Sequence, residues 1–195
     1  LSEHVKLAIE GGATMIQIRD KDILSTDSDA GLKDEYNEAL EIKRICHEHR
    51  VPLIINDNVQ FAIDIDADGV HLGQDDMNPA EARKLLGTDK IIGVTAKTVE
   101  QAKKAQADGA DYLGSGAVFG STTKLNAKPM TKELLSEITA AVDIPVVAIG
   151  GINADNASTL KGTGIAGIAV VGAIFASEDI KAAAKALAEI CDNML

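Results

Sequence analysis

The chain has 195 residues, enough for one sizeable core and short for two. Aromatic residues make up 3% against 46% hydrophobic overall, so the core must be aliphatic, which argues against an aromatic stacking platform for nucleic acid. The net charge of −11 argues the same way, and any anionic substrate must be held by local cations or a metal against the overall field.

Helical patterns alternate with short β-rich runs. Helix is expected over 2–10, strand over 14–19, helix over 33–49, strand over 52–56 and helix over 59–64. Strand at 69–72, helix at 79–86, strand at 91–95, helix at 98–107 and strand at 111–118 follow. The chain closes with helix 131–141, strand 145–149, helix 154–161, strand 167–172 and helix 178–193. Consecutive apolar residues in several strands predict a parallel sheet buried on both faces. Regular βα alternation points to an α/β barrel or a doubly wound sheet, within a single domain over 1–195. A closed barrel has eight strands, so the first is expected to precede Leu1. The polar stretch Ser25–Gly31 reads as a mobile loop over the top of the sheet, with 22–32 a candidate lid.

Cys46 and Cys191 have no CxxC spacing and read as reduced thiols of a cytoplasmic protein. No apolar run approaches the ~20 residues of a membrane helix. The N-terminus has neither a signal-type core nor an initiator Met.

Gln17, Arg19 and Lys21 sit two apart, so an extended backbone puts all three side chains on one face. Such a cluster suits an anionic ligand. In a parallel barrel the active site lies at the strands' C-terminal ends. There the chain also places Asn56 and Asp57, His71 to Asp76, Thr95, Gly120 to Lys124, Gly150-Gly151, and Val171-Gly172. Asp57 and Asp76 have two open readings. Each suits an N-cap for the helix that follows it, and together they offer hard oxygen ligands for Mg²⁺ held partly by substrate phosphates. Ser121-Thr-Thr-Lys124 suits either a solvated loop or phosphate binding. Gly150-Gly151 and Gly172 follow the last two strands, the recurrent phosphate site of such barrels.

Two patterns mislead. Asp64-Ile-Asp-Ala-Asp-Gly69 imitates the start of a calcium loop, but the next residues, Val70-His-Leu72, read as strand. His47 and His49 imitate a metal pair, yet residues two apart on a helix point to different faces.

The ordered set Gln17-x-Arg19-x-Lys21, Ile55-Asn-Asp57, Ala67-Asp-Gly-Val-His-Leu-Gly-Gln74-x-Asp76, Ile92-Gly-Val-Thr95, Gly109-Ala-Asp-Tyr-Leu-Gly114, Ser121-x-Thr123-Lys124 and Val147-Ala-Ile-Gly-Gly-Ile152 resembles thiamine-phosphate synthases over nearly the whole chain. The resemblance implies a (β/α)8 TIM barrel. It implies coupling of a hydroxymethylpyrimidine diphosphate to a hydroxyethylthiazole phosphate, or its carboxylated form, with release of diphosphate by a dissociative route. It further implies that Gln17, Arg19, Lys21, Asn56 and Lys124 hold the pyrimidine diphosphate, that Asp57 and Asp76 ligate Mg²⁺, and that Thr95 lies beside the pyrimidine. Ser121, Thr122, Thr123, Gly151, Val171 and Gly172 would hold the thiazole phosphate. Arg19, Lys21, Thr95 and Lys124 would act in catalysis.

Several positions depart from the family pattern. Thr95 stands where Ser is usual, Ser121 where Thr is usual, Gly120 where Pro is usual and Gly172 where Ser is usual. The last removes a hydrogen bond to a charged group, typically about 1.5–3 kcal/mol. The expected partners are small phosphorylated molecules, neither nucleic acid nor membrane. A homo-oligomer and a fusion to another thiamine-pathway domain stay open. Competing readings are a thiazole tautomerase-like paralogue and a non-catalytic ligand-binding domain. The complete set Arg19, Lys21, Asp57, Asp76 and Lys124 favours the synthase.

Overall fold

A computed structural model describes residues 1–19, 29–120 and 129–195, with side chains from residue 34 onward in the second stretch. Seven strands form one parallel sheet in chain order: β1 (Ile16–Ile18), β2 (Leu53–Asn56), β3 (Gly69–Leu72), β4 (Ile91–Thr95), β5 (Tyr112–Gly116), β6 (Val146–Ile149) and β7 (Gly167–Ala169). The helices are α1 (Ser2–Glu10), α2 (Asp29–Glu48), α3 (Val59–Asp64), α4 (Pro79–Leu86), α5 (Val99–Ala107), α6 (Lys132–Ala140), α7 (Gly172–Phe175) and α8 (Ile180–Met194), with a 3₁₀ turn at Ala157–Leu160.

Alternation along the strands makes two layers. Leu53, Ile55, Val70, Leu72, Ile92, Val94, Leu113, Val146 and Ala148 are buried and belong to the apolar cluster shared with the helices, among them Val5, Ile42, Leu135 and Leu187. Burying each such aliphatic side chain contributes about 1.5–3 kcal/mol. The alternate residues face inward, and several are polar or glycine.

Caps place each helix. Asn58, Asn78, Thr98, Thr131 and Asp179 each accept a hydrogen bond from a backbone N–H in the first turn of α3, α4, α5, α6 and α8. Each cap ends a strand-to-helix loop except Asp179, which follows α7.

The sheet and the helical layer end differently. Strands β1 and β7 are the two edges of the described sheet, so it has seven strands rather than a closed eight. The helices nonetheless meet. A Cβ added at Gly11 would lie 2.5 Å from the Lys181 carbonyl oxygen, and Lys181 Nζ donates to Glu10 at 2.8 Å, so α1 packs on α8.

Some expectations shift. The segment expected as helix 154–161 is only the 3₁₀ turn at 157–160. Residues 29–31 open α2 rather than belonging to a loop, and residues 20–28 lie outside the described residues, with most of the expected lid. Strand β7 stops at Ala169, so Val171 and Gly172 do not end a strand. They start α7 instead. No helix among the described residues is long and apolar enough to cross a membrane.

Candidate active site

The register builds the interior floor. Asn56 pairs with His71, His71 with Gly93, and Gly93 with Tyr112, so these four lie in one row on the inner face. The next row contains Thr95, Gly114 and Val147. Two glycines make room for the rings. A Cβ at Gly93 would stand 2.1 Å from Tyr112 Cζ, and one at Gly114 would stand 3.0 Å from His71 Cε1.

In that space His71 Nδ1 lies 2.9 Å from the Tyr112 hydroxyl, and Nε2 lies 3.0 Å from Thr95 Oγ1. The Gln17 side chain hydrogen-bonds Tyr112 from the other side. Gln74 Nε2 donates to the Thr95 carbonyl at 2.5 Å. Burial pushes the His71 imidazole down to about 4, against the opposing charge of Asp76, so near neutral pH the ring is uncharged. Burial pushes the Tyr112 phenol up, and the Gln17 hydrogen bond partly offsets this.

The two carboxylates stand at the rim beyond β2 and β3, and the N-cap readings of both fail. Asn58 Oδ1, not Asp57, accepts the Phe61 N–H at 2.9 Å. Asn78 Oδ1, not Asp76, accepts the Ala80 N–H at 2.9 Å. Asp57 occupies the left-handed region, with φ 63°, while its N–H donates to the His71 carbonyl at 2.8 Å. Asp76 Oδ2 accepts the Gly73 N–H at 2.6 Å, which folds the turn after β3 back on itself. No group of three or more His, Cys, Asp or Glu among the described residues could hold a metal ion by itself. Two exposed carboxylates, neither used as a helix cap, fit the hard-oxygen minimum that Mg²⁺ takes from a protein when phosphates and waters complete its shell.

Beyond β6, Gly150 and Gly151 have φ of 101° and 67°. A Cβ at Gly150 would lie 2.3 Å from that of Ala117, and one at Gly151 would lie 2.9 Å from the Phe119 carbonyl oxygen. Glycine is therefore required here on both counts. Asn156 Nδ2 donates to the Gly151 carbonyl at 2.9 Å and fixes this turn. Val171 is 71% exposed, and Gly172 next to it has open space where a side chain would go. Arg19 is exposed just past β1. Lys21, Ser121, Thr122, Thr123 and Lys124 lie outside the described residues.

The structure thus gathers Gln17, Asn56, Asp57, Asp76, Thr95 and Gly151 on the inner face or C-terminal rim of one sheet. Sequence reasoning placed the segment His71 to Asp76 at the rim without giving His71 or Gln74 a role, and it did not single out Tyr112 or Asn156. The glycines opposite the rings were the available signal, since glycine inside a strand marks a close approach.

The residues of the two misleading patterns have partners within the protein. His47 Nε2 lies 3.0 Å from Asp68 Oδ2, while His49 Nδ1 lies 2.9 Å from the Ile45 carbonyl. Asp66 pairs with Lys43 at 3.1 Å and with Lys90 at 2.5 Å.

A parallel α/β sheet with carboxylates at its C-terminal rim, and a Gly-Gly turn after its sixth strand, is the layout of a phosphate-handling barrel-type enzyme. Residues 1–174 match the family described as thiamine monophosphate synthase, and the chain belongs to that family. The thiamine-phosphate synthase of Ruminiclostridium cellulolyticum is 50% identical over 193 residues, covering 99% of this chain and 89% of that protein. That of Clostridium tetani is 46% identical over 96% of this chain and 86% of its own length. The solved thiamine phosphate pyrophosphorylase of Pyrococcus furiosus superimposes with a TM-score of 0.87 at 38% identity, covering 100% of this chain and 90% of that one. The chain is an enzyme of the transferase class.

Proposed function

We propose that this chain is a thiamine-phosphate synthase. It couples 4-amino-2-methyl-5-hydroxymethylpyrimidine diphosphate to 4-methyl-5-(2-hydroxyethyl)thiazole phosphate, or its carboxylated form, and releases diphosphate. The observation that carries the reading is the pair Asp57 and Asp76, set at adjacent strand ends while Asn58 and Asn78 take the capping work.

Asp57 and Asp76 would hold Mg²⁺, which on binding would supply charge neutralisation for the departing diphosphate. Arg19, Lys21 and Lys124 supply fixed positive charge to the same leaving group. Fixed charge in a water-poor site is the usual large contribution to such a step. Asn56 and Gln17 orient the pyrimidine diphosphate, and Thr95 lies beside its ring. The carbon–oxygen bond breaks first, leaving a cation stabilised by the aminopyrimidine. The thiazole nitrogen then captures it. No protein nucleophile is needed, and neither cysteine nor His71 offers one in this interior: Cys46 and Cys191 lie on the outer helices α2 and α8, and both nitrogens of His71 are engaged. The thiazole phosphate sits on the backbone N–H groups near Gly151 and Gly172, with Val171, Ser121, Thr122 and Thr123.

The proposed setting is cytoplasmic, in one TIM-barrel domain spanning 1–195, with free thiols at Cys46 and Cys191 in keeping with it. The test is formation of thiamine phosphate from both substrates with Mg²⁺. Undiminished turnover in excess chelator removes the metal role, and no turnover under any condition removes the reading.

A further inference from the structure

The interior polar groups are not independent. Gln17 on β1, Tyr112 on β5, His71 on β3 and Thr95 on β4 form one hydrogen-bonded string across the floor of the site. Gly93 and Gly114 keep clear the space that its two rings occupy. Tyr112 is 9% exposed, so its hydroxyl has little access to water and depends on its protein partners. Thr95 is held twice, through its hydroxyl by His71 and through its carbonyl by Gln74.

We propose that His71 and Tyr112 are positioning residues, which fix the rotamer and proton direction of the Thr95 hydroxyl against the substrate ring. The proposal rests on the coupling reaction given above. A hydroxyl alone rotates freely and presents donor or acceptor at random. An imidazole bonded at both nitrogens donates at one and accepts at the other, so anchoring Nδ1 on Tyr112 settles what Nε2 offers Thr95. Gln17 anchors the far end. An aminopyrimidine has donors and acceptors at fixed places on its edge, and the cation that forms from it reacts in one orientation only. A misdirected Thr95 would therefore be felt in the chemical step. The cations assigned above to the diphosphate act on the leaving group and not on the Thr95 hydroxyl, so ground-state binding should change little.

The test is steady-state kinetics on wild type, Tyr112→Phe, His71→Leu, His71→Gln, Thr95→Val and the double variant His71→Leu, Thr95→Val, with thermal melts for each. Tyr112→Phe and His71→Leu should each lower kcat about tenfold, while KM for the pyrimidine diphosphate stays within about threefold. His71→Gln, whose amide also donates and accepts, should recover part of the loss. The double variant should be no slower than Thr95→Val alone, because both act through one hydroxyl. Multiplicative losses in the double variant, or an unchanged kcat in Tyr112→Phe, overturn the proposal.

A second readout does not need turnover. The ¹⁵N-imidazole spectrum of the free protein should show His71 as one tautomer, with one pyrrole-type and one pyridine-type nitrogen. Tyr112→Phe should average them. Averaged signals in wild type overturn the string even if thiamine phosphate is made. Absence of thiamine phosphate with a single tautomer overturns the coupling reading and leaves the string standing.

Discussion

The ring of Tyr112 occupies the volume that any side chain at Gly93 would need. A Cβ at 93 would approach Tyr112 Cζ to 2.1 Å and its hydroxyl oxygen to 2.4 Å. The two residues are register partners on neighbouring strands, so the crowding cannot be relieved by a loop movement. Gly93→Ala must therefore push the phenol away from His71. Overpacking of this kind costs about 1–3 kcal/mol. Urea denaturation should show that loss, and the variant should also lose activity as Tyr112→Phe does. An alanine variant as stable and active as wild type would mean the ring has another place to go.

Asp57 sets a condition on how the metal site is tested. Its φ of 63° suits Asp and Asn but strains Ala. Asp57→Asn keeps the backbone and removes the charge, and Asp76→Asn still offers Gly73 N–H an acceptor. Each should lower Mg²⁺-dependent turnover by about a hundredfold or more, with circular dichroism and melting temperature close to wild type. A Mg²⁺ titration of activity in each variant reads this directly. Unchanged Mg²⁺ dependence in both would place the metal elsewhere.

Burial holds the Cys46 thiol at about 11, with Asp68 adding to it, and pushes the Cys191 thiol up as well, with Asp192 adding to that. A raised thiol pKa means less thiolate, and thiolate is the reactive form. At mildly alkaline pH, alkylation of native Cys46 should be roughly a hundredfold slower than in urea, from thiolate fraction alone. Mass spectrometry after a timed iodoacetamide pulse measures it. Equal rates folded and unfolded would contradict the burial.

Lys90 and Lys43 hold the Asp66 carboxyl down at about 2. A folded-state value below the unfolded one contributes stability above the unfolded pKa, near 3.8, and loses it as pH falls through about 2. Asp66 is 74% exposed, so solvent screening keeps the effect to about 1 kcal/mol or less. Asp66→Asn, which tolerates the φ of 52° there, should melt slightly below wild type near neutral pH. The gap should close across that acid window. A gap that persists below it would assign the effect to packing instead of charge.

How much of this was legible beforehand differs by residue. The strands at 69–72 and 91–95 and the helices at 2–10, 59–64 and 79–86 fall where the sequence places them. For the two strands and the two later helices, apolar runs and start signals such as Asn78-Pro79 agree. The run Ile168-Ala-Val-Val171 reads as strand throughout, but pairing stops at Ala169 and the backbone turns helical at Gly172. Apolar character alone does not mark where a strand ends. Of the candidate site, the rim residues were visible as strand-end polar groups. The floor was not, because His71 and Tyr112 join through space across Gly93, and single strands do not show that.

Gly172 offers the sharpest test of the thiazole-phosphate end. It opens α7, and the space where its side chain would stand is open. Its φ is not in the left-handed region, so a side chain meets neither clash nor backbone strain there. Gly172→Ser should add a hydroxyl donor at the start of α7 at little cost in stability. A hydrogen bond to a phosphate contributes about 1.5–3 kcal/mol, so KM for the thiazole phosphate should fall by roughly tenfold or more, with kcat little changed. The pyrimidine diphosphate KM serves as the internal control and should not move. If the serine variant leaves the thiazole-phosphate KM unchanged, the phosphate does not lie at this turn.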